Sequence, residues 1–138
     1  MPDVNVLVYA HRGHLHQHAA AAGWLRDLAT APRAFALSEL VVAGFVRVVT
    51  NPRIFSSPSM IDEALSFLDE LIARPTARLV RPGPRHLGIF TSLCREHRAT
   101  GGLVADAYHA ALAIEHGCTW VSYDTDFARF TALEWRTP

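Results

Sequence analysis

Phe35-Ala36-Leu37-Ser38-Glu39-Leu40-Val41-Val42-Ala43-Gly44-Phe45-Val46 changes backbone period within a few residues. Three consecutive apolar residues form the short run of a fully buried strand. Ser38 then offers a hydroxyl to cap a helix start, and Glu39 follows in the first turn, where a carboxylate complements the helix dipole. The helix predicted from there reaches about Val49. Thr50-Asn51-Pro52-Arg53 ends it, because the residue before a proline is pushed out of the helical region. From Leu40 to Val46 the helix is apolar on every face, the pattern of an element buried on most sides. A buried strand feeding a capped helix is one βα unit of a parallel sheet.

The same alternation extends in both directions. Upstream, Pro2 to Leu7 reads as a strand end turning into a short helix, Asn5 to Ala10, and a helix spans His14 to Ala29. Downstream, Ser59-Met60-Ile61-Asp62 resembles a capping box opening a helix to Ala73. A strand at Arg78 to Val80, a helix from Pro84 to His97 and a helix from Leu103 to His116 follow, the last stopped by Gly117. Thr119 to Ser122 is a strand, Asp124-Thr125-Asp126 a turn, Phe127 to Phe130 a helical turn, and Leu133 to Arg136 a last strand. With 138 residues, no repeat and no linker, the chain is expected to form a single α/β domain over residues 1–138.

Four acids fall where such a sheet binds ligands. Asp3 ends the first strand, Glu39 follows the second, Asp106 lies in the first turn of its helix, and Asp124 lies just past the strand Thr119 to Ser122. Strand carboxyl ends and the helix starts that follow them share one edge of an open parallel sheet. Each acid also suits a purely structural role, Asp3 as a helix cap, Glu39 and Asp106 as dipole partners, and Asp124 in an Asx turn. Read together they say more. Glu39 and Asp106 open apolar helices without a nearby basic residue in the sequence, and a desolvated carboxylate needs a cation or a partner. Oxygen ligands of this kind select a hard cation, magnesium or in its place manganese. Such an ion activates water and neutralises phosphate charge, which is the chemistry of phosphodiester hydrolysis.

Composition narrows the field. Half the residues are hydrophobic and the formal net charge is zero, which argues against coating nucleic acid by bulk charge. No apolar run reaches the length of a membrane span, and Met1-Pro2-Asp3 lacks a basic region followed by an apolar stretch, so a cytoplasmic protein is expected. Cys94 and Cys118 form no Cys-x-x-Cys pair and read as reduced thiols. All thirteen basic residues are arginines, a side chain suited to bidentate phosphate contact. His11, His14, His16 and His18 read as a solvated helix start, and His109 as structural.

Asp3-Val4-Asn5-Val6-Leu7-Val8-Tyr9-Ala10 resembles the opening motif of PIN-domain proteins. Ser38-Glu39-Leu40, Val104-Ala105-Asp106-Ala107-Tyr108-His109-Ala110-Ala111-Leu112-Ala113 and Val121-Ser122-Tyr123-Asp124-Thr125-Asp126-Phe127 fit the later motifs in order. Arg47-Val48-Val49-Thr50-Asn51-Pro52-Arg53 is similar to the VapC-like ribonucleases of toxin–antitoxin pairs. The resemblance spans the chain. It implies a three-layer α/β/α sandwich with a central, mainly parallel sheet, magnesium-dependent endoribonuclease activity, homodimerisation and a cognate antitoxin. Under it Asp3, Glu39, Asp106 and Asp124 are the catalytic acids. Asp3, Asp106, Asp124 and Asp126 are the metal ligands, and Asn5 and Ser122 support the site. The family usually carries several apolar residues ahead of the first aspartate; here only Met1 and Pro2 precede it.

Two expectations concern surfaces. Arg47 and Arg53, flanking the end of the Glu39 helix, are candidates for substrate phosphate. The helix from Ser59 to Ala73 carries two apolar rows, Ile61, Leu65, Leu68, Ile72 and Met60, Ala64, Phe67, Leu71. Part of it, with Ile54 and Phe55, is expected in a homodimer interface or an antitoxin groove. The alternative to an enzyme is a catalytically silent PIN-like module that binds RNA or protein. A mere binder gains nothing from four mutually repelling carboxylates.

Overall fold

Capping chemistry sets where the helices begin. In the computed structural model, which describes residues 1–138, Asp3 Oδ1 accepts from Val4 N at 2.6 Å and opens α1, Val4–His11. Ser38 Oγ accepts from Leu40 N at 3.2 Å and opens α3, Glu39–Val49. The others are α2, His18–Thr30; α4, Ile61–Ile72; α5, His86–Glu96; and α6, Gly102–Glu115. Gly117, at φ +60°, ends α6 in the left-handed conformation that glycine adopts without strain.

All strand pairing is parallel. β1, Phe35–Ser38, pairs with β2, Ala77–Val80, with Ser38 opposite Val80. β3, Trp120–Val121, pairs with β4, Trp135–Arg136. The segment ahead of Asp3 is a single bridge between Pro2 and Val121. Asp3 N donates to Val121 O and Val121 N to Met1 O, both at 2.9 Å. Pro2 fits there because its neighbours make the ladder bonds, so its missing N–H is not needed. The expected central sheet is therefore two hydrogen-bonded parallel pairs, the second extended by that bridge. Helices pack around them in an α/β sandwich.

Leu7, Leu37, Val41, Phe45, Trp120, Phe127 and Phe130 are fully buried in one core. Gly44 lets α3 approach α1 closely: a Cβ there would stand 2.8 Å from Val4 Cγ2. This contact fixes the start of α1, and with it Asp3.

Four expectations need correction. First, α3 is not buried all round. Val41, Phe45 and Val49 form one buried stripe, while Glu39, Leu40, Ala43 and Arg47 are exposed. Second, no capping box opens α4. Met60 is its N-cap residue, and Ser59 is buried, its Oγ 2.9 Å from His11 Nε2 and from Arg12 Nη1. Third, α2 starts at His18, not His14. Fourth, His11 is not a solvated residue: its ring packs edge-on against Phe45 and Phe67.

On α4 the buried row is Ala64, Leu68 and Leu71, which straddles both expected rows. Phe67 stacks on Phe45 with centroids 5.1 Å apart. Ile61, Leu65 and Met60 stay exposed, Met60 at 73%. No helix is long and apolar enough to cross a membrane.

Candidate active site: a carboxylate cluster at the strand ends

Asp3 sits between the Pro2 bridge and α1 and is only 8% exposed. Its carboxylate is fully occupied by neutral donors. Oδ1 accepts from Val4 N at 2.6 Å, and Oδ2 accepts from Ser122 Oγ at 2.6 Å and Asn5 Nδ2 at 2.9 Å. Asn5 Nδ2 also lies 2.8 Å from Ser122 Oγ, and Asn5 Oδ1 accepts from Tyr123 N at 3.2 Å. Ser122 Oγ in turn accepts from Asp124 N at 3.0 Å. Asp3, Asn5, Ser122 and the turn at Asp124 thus form one hydrogen-bonded unit, although they come from opposite ends of the sequence.

The electrostatics of this unit are unbalanced. Burial pushes the Asp3 carboxyl up from 3.8 to about 6, and Asp106 and Asp124 push it further against the bonds from Ser122 and Val4 N. Asp106 lies on the second turn of α6, not the first as expected, because the helix already starts at Gly102. It is also raised, by burial and then by Asp124 and Asp126, with Arg129 opposing. Asp124 Oδ1 accepts from Asp126 N at 2.8 Å, and Asp126 holds Arg129 at 3.0 Å. The structure therefore brings Asp3, Asp106, Asp124 and Asp126 into one shared field. Both caps anticipated for Asp3 and Asp124 exist, so these residues serve the backbone and the cluster together.

Glu39 is placed differently. Its side chain is half-exposed and paired with Arg81, whose Nε donates to Oε1 at 2.7 Å. Glu39 and Arg81 line a neighbouring recess with Ser38 and Tyr108, outside the field that raises Asp3. The argument that burial strands Glu39 without a cation is thus overturned. Sequence reasoning misses Arg81 because it lies 42 residues away. The signal is the strand pairing, since Ser38 opposite Val80 sets residues 39 and 81 side by side.

Arg47 and Arg53 are exposed, and neither side chain makes a hydrogen bond or ion pair within the chain. His109 is structural. It stacks on buried Trp120 at 5.2 Å, and burial lowers it to about 4, so it is neutral at physiological pH.

The donor set of the cluster is all oxygen. No three acidic, histidine or cysteine side chains close on a common point. That arrangement fits a hard ion that takes one or two carboxylates directly and meets the others through its waters.

The chain matches the family model described as PIN domain over residues 1–133. It is 47% identical over 136 residues to ribonuclease VapC43 of Mycobacterium tuberculosis, covering 99% of this chain and 92% of that one. It is 44% identical over 131 residues to ribonuclease VapC25 of the same organism, covering 95% and 92%. Among solved structures it resembles VapBC2 of Rickettsia felis, bound to a DNA fragment from its promoter. The TM-score is 0.74 and the identity 22%, over 99% of this chain and 96% of that one.

Proposed function

The chain belongs to the PIN-domain family, and on that basis we propose that it is a metal-dependent endoribonuclease, the toxin of a VapBC-type pair. The observation that carries the reading is Asp3. It is a buried carboxylate surrounded by neutral donors and repelled by Asp106 and Asp124, with no basic side chain bonded to it. Clustered charge of that kind calls for a cation. Asp3, Asp106 and Asp124, with Asp126, are the residues that would hold it.

A bound Mg2+ or Mn2+ supplies an activated water and neutralises charge on the scissile phosphate. The protein's own part is orientation. Ser122 and Asn5 fix the Asp3 carboxylate, the Asp124 turn is fixed through Ser122, and Arg129 restrains Asp126. Glu39 stands outside this group, held by Arg81, and acts on the substrate side of the edge. Arg47 and Arg53 meet RNA phosphates.

The Rickettsia neighbour is a VapBC assembly, and this chain has a surface suited to an antitoxin partner of that kind. Met60, the N-cap residue of α4, and Ile61 and Leu65 on that helix are exposed and apolar, as is Ile54 in the preceding loop. A homodimer or an antitoxin covers Met60, Ile61 and Leu65, the antitoxin alone reaches over Ile54, and the protein works in the cytoplasm. The test is cleavage of labelled RNA by the purified chain. Cutting should require Mg2+, stop with EDTA and fail in a folded Asp106→Asn variant. Equal cutting in EDTA, or by that variant, would sink the assignment.

A further inference from the structure

Beside the cluster lies a trough of about 390 Å3. Asp3, Asn5, Tyr9, Val48, Ile54 and Phe55 are among the residues that line it. The wall made by Ile54 and Phe55 belongs to a loop, yet it is firmly held. Ile54 N and Phe55 N both donate to Asn51 O, at 3.0 and 3.1 Å. The Arg12 guanidinium lies 4.5 Å from the Phe55 ring centre and donates to Ser57 O at 2.6 Å and Ser59 Oγ at 2.9 Å. An arginine is thus committed to fixing an apolar wall. Ile54 still keeps 50% of its surface in water.

Position and charge choose the occupant. The trough shares Asp3 and Asn5 with the cluster, so a strand whose phosphate sits at the carboxylates carries its neighbouring base to the trough. A nucleobase offers two apolar faces to Tyr9, Ile54 and Phe55; Asn5, its amide committed to Asp3, Ser122 and Tyr123 N, only holds the carboxylate side in place. The volume lies within the range of small-ligand pockets, about 300–1,000 Å3. Arg47 and Arg53 adjoin the wall residues Val48 and Ile54 in sequence and have no partners of their own, so they are free for adjoining phosphates. An uncharged apolar peptide would leave both arginines unused.

We infer that this trough takes one unstacked nucleobase of single-stranded RNA, beside the phosphate held at the carboxylates, and so selects a nucleotide flanking the cut. The inference rests on the ribonuclease reading and adds a base pocket to it. Ile54 is then a specificity-determining residue, and Arg12 a positioning residue that acts through Phe55.

The experiment uses the full chain and one single-stranded RNA of fixed sequence. In the first arm, 2-aminopurine replaces successive bases, and its fluorescence is followed on binding to the Asp106→Asn chain. One position, or two adjacent ones, should respond strongly. Adding Ile54→Asn should remove that response, and adding Ile54→Leu should keep it. In the second arm, an abasic nucleotide is walked along the RNA during cleavage by the active chain. At the same position kcat/KM should drop about 5- to 150-fold, the range expected from losing one stacked base. The drop should vanish in Ile54→Asn and return in Ile54→Leu. A flat scan by a chain that binds and cuts RNA would return the trough to a protein segment and overturn the inference, leaving the ribonuclease reading intact. So would a scan that Ile54→Asn leaves unchanged. A chain that neither binds nor cuts RNA would overturn both.

Discussion

Asp3→Asn separates two roles of one side chain, because it removes the charge and keeps the shape. In the folded chain burial raises the Asp3 carboxyl from 3.8 to about 6. A shift of that size corresponds to about 3 kcal/mol against the charged folded state. The sign follows from which state binds the proton. The folded chain binds it more tightly, so the cost is absent below about pH 4, grows as pH rises, and is complete above about pH 6. The wild type should therefore lose stability across that window. Asparagine carries no such cost, but the amide nitrogen that replaces Oδ2 cannot accept from Ser122 Oγ and Asn5 Nδ2, which costs about 1–2 kcal/mol. A net gain of about 1–2 kcal/mol at pH 7.5 is expected. That is about 4–8 °C in melting temperature, at about 4 °C per kcal/mol for a chain this size. The assay is thermal unfolding followed by circular dichroism in EDTA, at pH 7.5 and at pH 4. Cleavage should fall by about 100-fold or more. Added Mg2+ should stabilise the wild type and leave the variant unmoved. A variant less stable than wild type at pH 7.5, or equally stabilised at pH 4, would refute the account of Asp3 as an uncompensated charge.

Ser122→Ala removes a bond that holds Asp3 below the value burial alone would set, so Asp3 should titrate higher. The acid limb of the pH–rate profile at limiting metal should move upward, with a loss of about 1–3 kcal/mol in stability; a limb that stays in place would deny Ser122 this role. Gly44→Ala drives a methyl into Val4 Cγ2 and should cost about 1–3 kcal/mol, with reduced cleavage as the start of α1 shifts. Denaturant titration should show Val4→Ala restoring much of that loss, since it opens the space. Arg47→Gln with Arg53→Gln should flatten the log–log salt dependence of RNA binding by about 1.4, the value for two phosphates on a single strand. A slope equal to wild type would move the RNA path elsewhere.

Local chemistry is readable in the sequence where one residue serves one nearby partner. Ser38 is expected to cap α3 and does so, because the hydroxyl and the N–H it satisfies are two residues apart. Asp3 and Asp124 are expected at strand ends and lie there. Ser59 shows where such reading fails. The residues that follow it suit a capping box, but His11 and Arg12 claim its hydroxyl, and a tertiary bond overrides the local one. The burial assigned to α3 fails for a related reason. Apolar residues on every face show that a helix tolerates burial, but the packing of α1, α4 and β1 around it decides which stripe is covered. Arg81 can be placed beside Glu39 only with the register of β1 on β2, which no single segment encodes.

The two kinds of acid at this edge differ in what neutralises them, and that difference assigns their work. Glu39 meets a guanidinium from its own chain in open water, where such a pair contributes little and exchanges readily. It has no outstanding need for a cation. Asp3 has three donors and none is charged, so its hydrogen-bonding capacity is met while its charge is not. Adding a fourth neutral donor would not cure this, since the repulsion comes from Asp106 and Asp124. Replacing a neighbour with arginine would cure it, but would fill the space that a metal ion and a phosphate would need under the proposed function. The neutral donors hold the carboxylate in position and leave its charge uncompensated until something positive arrives from outside the chain. An ion that is bound there gains what the empty site lacks, so metal affinity and the metal-free instability of Asp3 should rise and fall together among variants of Ser122 and Asn5.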